Sequence, residues 1–263
     1  MRTNHEIDYQ IHGEEMQYVE VELDPNETAI AESGAFMMME DGIQMETIFG
    51  DGAKANQGFM GKLMSAGKRL LTGESLFMTA FTNTSQGKKK VSFASPYPGK
   101  IILMDLLKMG GKVVCQKDSF LCAAKGVSVG IEFQRKLGTG LFGGEGFIMQ
   151  KLEGDGLAFV HAGGHVTEKE LQPGQLLKVD TGCIVAFSQT VEYDIQFVGG
   201  IKNTLFGGEG LFFATLRGPG KVWIQTLPIS RLAGRILSYG TVRRKEEGSL
   251  LGGVGNALDG DGW

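Results

Sequence analysis

Apolar and polar residues alternate strictly in two places and more loosely in a third. Val191, Tyr193, Ile195 and Phe197 alternate with Glu192, Asp194 and Gln196. At an offset of 191 − 127 = 64, Val127, Val129, Ile131 and Phe133 alternate with Ser128, Gly130 and Glu132. Near the N-terminus, Ile43, Met45, Thr47 and Phe49 alternate with Gln44, Glu46 and Ile48. A period of two predicts strands with one buried face.

A glycine-rich string recurs at the same spacing. Leu141-Phe142-Gly143-Gly144-Glu145-Gly146 returns as Leu205-Phe206-Gly207-Gly208-Glu209-Gly210, and 205 − 141 = 64. That offset also carries Leu152 to Leu216, Gly154 to Gly218, Gly156 to Gly220 and Phe159 to Trp223. Leu70-Leu71-Thr72-Gly73-Glu74-Ser75 is a weaker copy. Each copy leads into an apolar stretch, at Leu76 to Phe81, Phe147 to Met149 and Leu211 to Phe213. Upstream, Leu171-Gln172-Pro173-Gly174 matches Leu23-Asp24-Pro25-Asn26 and, more loosely, Leu107-Lys108-Met109-Gly110. Pro and Gly at these places suit tight turns.

The chain thus reads as three units, about 18–96, 103–162 and 167–227. Short strands punctuated by Gly turns predict an all-β fold of three pseudo-repeated β-sandwich modules. Units this small have little core of their own, so residues 1–247 are expected to form one domain. The Gly- and Asp-rich stretch 248–263 reads as a mobile tail. The first unit departs from the plan. Between Phe49 and Leu70 lie 20 residues, against 7 between Phe133 and Leu141, an excess of 20 − 7 = 13. Phe59, Met60, Leu63 and Met64 stand beside Lys62, Lys68 and Arg69 in this segment. Their spacing predicts a short amphipathic helix, weakened by Gly61 and Gly67. It would serve as a lid, a subunit contact or a membrane-interface element. A second helix is predicted over Arg231–Leu237 with Ser230 as its cap, followed by the basic stretch Thr241–Lys245.

Composition narrows the classes. Of 263 residues, 42% are hydrophobic and 21% charged, which fits a folded globular chain. The net charge of −4 counts against nucleic-acid binding, which needs a basic surface. No apolar run is long enough to span a membrane, and the first residues lack a secretory apolar core. Cys115, Cys122 and Cys183 are odd in number and fit no zinc spacing, so they read as reduced, mostly buried thiols of a cytoplasmic protein.

The repeated Leu-Phe-Gly-Gly-Glu-Gly string and Gly154-Asp155-Gly156-Leu157-Ala158-Phe159-Val160-His161-Ala162-Gly163-Gly164 resemble an uncharacterised family over about residues 5 to 245. That family includes the mitochondrial-biogenesis (altered inheritance of mitochondria) protein. The resemblance implies a fold like the tryptophan RNA-binding attenuation protein, with double-stranded β-helix-like modules. It implies no reaction, catalytic residue or cofactor. Mitochondrial relatives suggest a role in membrane-associated assemblies, although this chain lacks an Arg-rich, acid-poor presequence.

Candidate chemistry is sparse. Glu74, Glu145 and Glu209 hold equivalent places in the three units and either converge or cap Gly-rich corners. The Gly-Gly-Glu-Gly turns lead into strands and carry a carboxylate, so they are unsuited to phosphate. His161, His165 and Glu168 have the wrong spacing for a cupin-type metal site and read as a loop with solvated histidines. Lys88-Lys89-Lys90 reads as a solvated hairpin tip or, with Arg243, Arg244 and Lys245, as an anion-binding patch. No catalytic, cofactor-binding or metal-ligating residue is assigned. The favoured reading is a non-enzymatic scaffold or interaction protein, homo-oligomeric and with possible peripheral membrane contact. The alternatives are a small-ligand or RNA-binding β module and a cupin-like metal-dependent enzyme.

Overall fold

The computed structural model describes residues 3–49, 77–135, 147–198 and 211–239. They form nineteen strands, two short 3-10 turns (Lys117–Ser119 and Thr181–Cys183) and one helix, α1, over residues 229–239. The first sheet runs β1 (Asp8–His12), β2 (Tyr18–Leu23), β7 (Lys89–Ala94), β4 (Phe36–Met39). The second runs β5 (Ile43–Phe49), β6 (Phe77–Asn83), β3 (Thr28–Glu32), β10 (Phe120–Ala124), β13 (Leu157–Gly163), β8 (Gly99–Asp105). The third runs β11 (Ser128–Arg135), β12 (Phe147–Glu153), β9 (Lys112–Gln116), β16 (Ile184–Ser188), β19 (Gly220–Gln225), β14 (Val166–Leu171). The fourth runs β15 (Leu176–Asp180), β18 (Leu211–Arg217), β17 (Glu192–Val198).

Three apolar clusters lie between successive sheets. Val19, Val21 and Phe93 of the first sheet meet Ala31, Phe81 and Phe159 of the second. Ile30, Met104 and Val160 of the second meet Cys115, Leu152 and Trp223 of the third. Val114, Met149 and Phe187 of the third meet Val179, Ile195 and Leu216 of the fourth. Position in this stack dictates sequence pattern. In β2 of the outer first sheet, Val19, Val21 and Leu23 point inward and alternate with half-buried Tyr18, Glu20 and Glu22. In the inner second sheet both faces are covered, and all seven residues of β13 are buried.

The aligned turn residues share one backbone conformation. Asn26, Gly110 and Gly174 have φ of 69°, 79° and 75°. Only Gly and, less readily, Asn occupy that left-handed region without large cost. The β-bulges also coincide. In β10 the register breaks between Phe120 and Cys122, and in β16 between Ile184 and Ala186, where 184 − 120 = 64. In β4 it breaks between Phe36 and Met38, where 120 − 36 = 84.

The C-terminal helix begins earlier than the sequence indicated. The Pro228 carbonyl accepts from the amides of Arg231 (3.0 Å) and Leu232 (3.3 Å), which puts Ser230 inside the first turn rather than at the cap. Pro228 has no amide to leave unpaired there, so the helix starts on it. Arg231 donates to Asp180 at 3.0 Å and ties the helix to the end of β15. No helix among the described residues is long and apolar enough to cross a membrane.

Candidate functional site

Glu74, Glu145 and Glu209 lie outside the described residues, as do Phe59, Met60, Leu63 and Met64. The histidine group is described and is not a loop cluster. His161 sits in β13 with 1% of its surface exposed. Its Nε2 lies 3.1 Å from the Tyr97 carbonyl, which only accepts, so Nε2 carries the proton and donates. Tyr97 stacks edge-on against the ring at 4.4 Å. The solvated-loop reading of His161 is therefore corrected: β13 runs to Gly163 and takes the ring into the covered layer. His165 is exposed in the turn. Glu168 accepts from Lys221 at 2.6 Å and from the Trp223 indole at 3.0 Å. Among the described residues no three His, Cys, Asp or Glu side chains are placed to hold a metal.

The thiols and lysines are equally settled. All three cysteines are free, and burial raises each thiol's pKa, which suppresses the nucleophilic thiolate. Lys88 reaches Asp8, Glu22 and Asp24 at 3.3, 2.7 and 3.6 Å, and Lys90 reaches Glu20 at 2.6 Å. Two members of the basic run are thus paired across the outer sheet rather than standing as an open cationic tip.

Two titratable groups, the half-buried Glu32 and the buried His161, pull stability in opposite directions. Glu32 ends β3; burial pushes its carboxyl up to about 7, with repulsion from Asp118 and partial relief from Lys117. Burial pushes His161 down to about 4, against the bond to Tyr97. Between the ordinary 4.5 and about 7, the unfolded chain releases the Glu32 proton while the folded chain keeps it, so stability falls as pH rises. Between 6.5 and about 4, the unfolded chain takes up the His161 proton while the folded chain does not, so stability falls as pH drops. Glu32→Gln is expected to stabilise the protein by about 2 kcal/mol at about pH 8. The gain over wild type should vanish below the ordinary 4.5. Urea unfolding across this range checks it, and a pH-independent difference would assign the effect to packing.

Unused bonding capacity lies at the ends of the sheet stack. β4 and β15 are terminal strands of their sheets, with no strand beyond them among the described residues. β4 exposes all four side chains: Phe36 39%, Met37 49%, Met38 44% and Met39 39%. In β15, Leu176 is exposed, while Val179 is already buried in the cluster between the third and fourth sheets. The strands aligned with β4 behave differently. β10 is buried at all five positions and β16 at four of its five. β4 lies outside the alternating stretches. Its signal is Phe36-Met37-Met38-Met39, an apolar run without alternation, the pattern typical of strands covered on both faces.

One cavity of about 430 Å³ is lined, among the described residues, by Phe133, Tyr193, Asp194 and Ile195. Phe133 and Tyr193 meet edge-on at 5.5 Å. This aromatic wall with one exposed carboxylate brings no nucleophile–base pair together.

A family model described as mitochondrial biogenesis AIM24 matches residues 9–227. An uncharacterised protein of Streptococcus pyogenes serotype M6 is 29% identical over 225 residues, covering 84% of this chain and 86% of the relative. A crystal structure of another Streptococcus pyogenes protein superposes with a TM-score of 0.69 at 23% identity, covering 89% of this chain and 99% of that one. That likeness concerns the fold. None of these descriptions names an activity.

Proposed function

The chain belongs to the mitochondrial biogenesis AIM24 family, and from that premise we propose that it is a non-enzymatic scaffold that assembles copies of itself. One observation supports the reading: the outermost sheets end in strands that expose backbone edges and apolar side chains, whereas the aligned inner strands are buried. Natural sheets normally blunt such edges with charge, Pro or short length, because an open apolar edge recruits another strand. The three free thiols fit a reducing, cytoplasmic location.

Peripheral membrane contact forms the second part of the proposal. Its support is the sequence pattern of Phe59, Met60, Leu63 and Met64 beside Lys62, Lys68 and Arg69. Light scattering is expected to return a mass well above the 28.4 kDa of one chain. Anionic liposomes are expected to sediment wild type but not a Phe59→Ser, Leu63→Ser double variant of unchanged mass. A wild type with the mass of one chain would end the scaffold reading. Wild type staying in the supernatant would remove the membrane.

A further inference from the structure

We infer that β15 of one copy pairs antiparallel with β4 of the next, joining the fourth sheet of one molecule to the first sheet of another in a defined register. The inference rests on the scaffold reading above and gives that scaffold its contact.

The chain contains two internal templates for this contact. In the second sheet, β3 and β10 meet with Ala31 opposite Cys122, Ile30 opposite Ala123 and Ala29 opposite Ala124. In the third sheet, β9 and β16 meet with Cys115 opposite Ala186, Val114 opposite Phe187 and Val113 opposite Ser188. The second junction is the first one shifted along the chain. Its first strand moves by 115 − 31 = 84 and its second by 186 − 122 = 64. Each junction therefore joins an early strand of one unit to a middle strand of the next.

Carrying the pattern on leads from β9 to β15 and from β10 back to β4. The step from β9 to β15 is 64, because the 3-10 turns that directly follow them begin at Lys117 and Thr181. The step from β10 back to β4 is 84, because the bulge falls at the same place in both. A third junction would then set Val179 opposite Met38, Lys178 opposite Met39 and Leu177 opposite Glu40. Within the chain these two strands are the ends of different sheets.

Side-chain environment agrees with this register. Val179 already packs in the cluster shared by the third and fourth sheets. Met38, placed opposite it, would extend that cluster and lose its exposure. Lys178 and Met39 would share the other face, where the Lys stem covers the Met side chain and its ammonium stays in water. β4 is short, at four residues, but contains neither a charge nor Pro to oppose a new strand. The occupant is a second copy of this chain because β15 alone among the described strands carries the aligned first half of the junction. The contact joins unlike surfaces, so copies add head to tail and the assembly closes into a ring or grows as a filament.

Cross-linking tests the register directly. A chain carrying Met38→Cys and Val179→Cys, oxidised by air with a copper catalyst, is expected to give a ladder of disulfide-linked multimers on a non-reducing gel. Met39→Cys with Val179→Cys is out of register and is expected to give at least tenfold less. Separately, Met38→Lys with Met39→Lys is expected to drop the solution mass to 28.4 kDa with an unchanged circular dichroism spectrum, since both side chains are exposed in the single chain. An oligomer that survives the Lys variant and forms no cross-link would overturn this contact and leave the scaffold reading standing. A monomeric wild type would remove both. Cross-linking only in the out-of-register pair would overturn the register.

Discussion

Gly99→Ala is expected to destabilise the protein by more than about 4 kcal/mol and to leave little soluble product. Gly99 opens β8 and pairs with Gly163 of β13. A methyl group at Gly99 would lie 1.9 Å from the Ala162 carbonyl oxygen, 2.8 Å from its carbon and 2.9 Å from the Gly163 Cα. All three atoms are backbone, so no side chain can swing aside. β13 has nowhere to retreat, because it is bonded to β10 on its other edge. At Gly163 the crowding repeats, where a Cβ would stand 2.0 Å from the Leu227 oxygen. Three backbone segments are therefore stacked closer than any side chain permits, and relief requires separating β8 from the sheet. Gly87→Ala is the matched control: nothing lies within 4 Å of its added carbon, and its effect should stay below about 0.5 kcal/mol. Guanidinium unfolding of both variants measures the difference. A Gly99→Ala protein within about 1 kcal/mol of wild type would show that the strands slide apart cheaply.

Asn83→Leu is expected to cost about 3 kcal/mol. Asn83 is fully buried at the end of β6. Its Nδ2 donates to the carbonyls of Leu23 (2.8 Å) and Gly87 (2.7 Å). Its Oδ1 accepts from the amide of Ser85 (2.9 Å) and from its hydroxyl (2.7 Å). One side chain thus satisfies the β6–β7 hairpin and the end of β2 together. Leucine keeps the volume and removes four hydrogen bonds; the Ser85 hydroxyl and the Gly87 carbonyl keep each other at 3.0 Å, and the buried Leu23 carbonyl is the partner with least access to water. Asn83→Asp keeps the acceptors, loses both donated bonds and adds a charge, so its cost should match or exceed that of leucine near pH 7. Its penalty should shrink on acidification as the carboxyl gains a proton and recovers one donor. Thermal midpoints of the two variants at neutral and acid pH test this ordering. Equal midpoints for wild type and Asn83→Leu would mean that water replaces the amide.

Strand chemistry was the most legible part of the fold. Alternation at 127–133 and 191–197 became β11 and β17 with Val127, Val129, Val191 and Ile195 buried, whereas 43–49 became β5 without the expected sidedness: Met45 is exposed and Ile48, from the opposite set, is buried. Asn26, Gly110 and Gly174 were marked as turn residues, and all three hold positive φ. What escaped the sequence depends on distant packing. Glu32 looks like an ordinary strand-end acid, and its perturbation comes from burial and from Asp118, 86 residues away by 118 − 32 = 86. His161 stands in a glycine-flanked string that reads as a loop, yet backbone pairing with Ile101 carries the strand through it. β4 escapes an alternation pattern because its unbroken Phe-Met-Met-Met run has none. The segment singled out for a subunit or membrane contact and the three repeated glutamates fall outside the described residues.

The two ends of the sheet stack are unlike, and that gives the molecule a polarity. A copy damaged only at β4 keeps an intact β15, and the reverse is equally true. In the head-to-tail assembly proposed above, a one-sided mutant mixed with sound copies would join and then refuse the next addition, as a chain terminator does in polymer synthesis. A small fraction of such subunits would then truncate many assemblies. Lesions confined to one end would therefore behave genetically as dominant, whereas lesions that unfold the whole chain, such as one at Gly99, would be recessive.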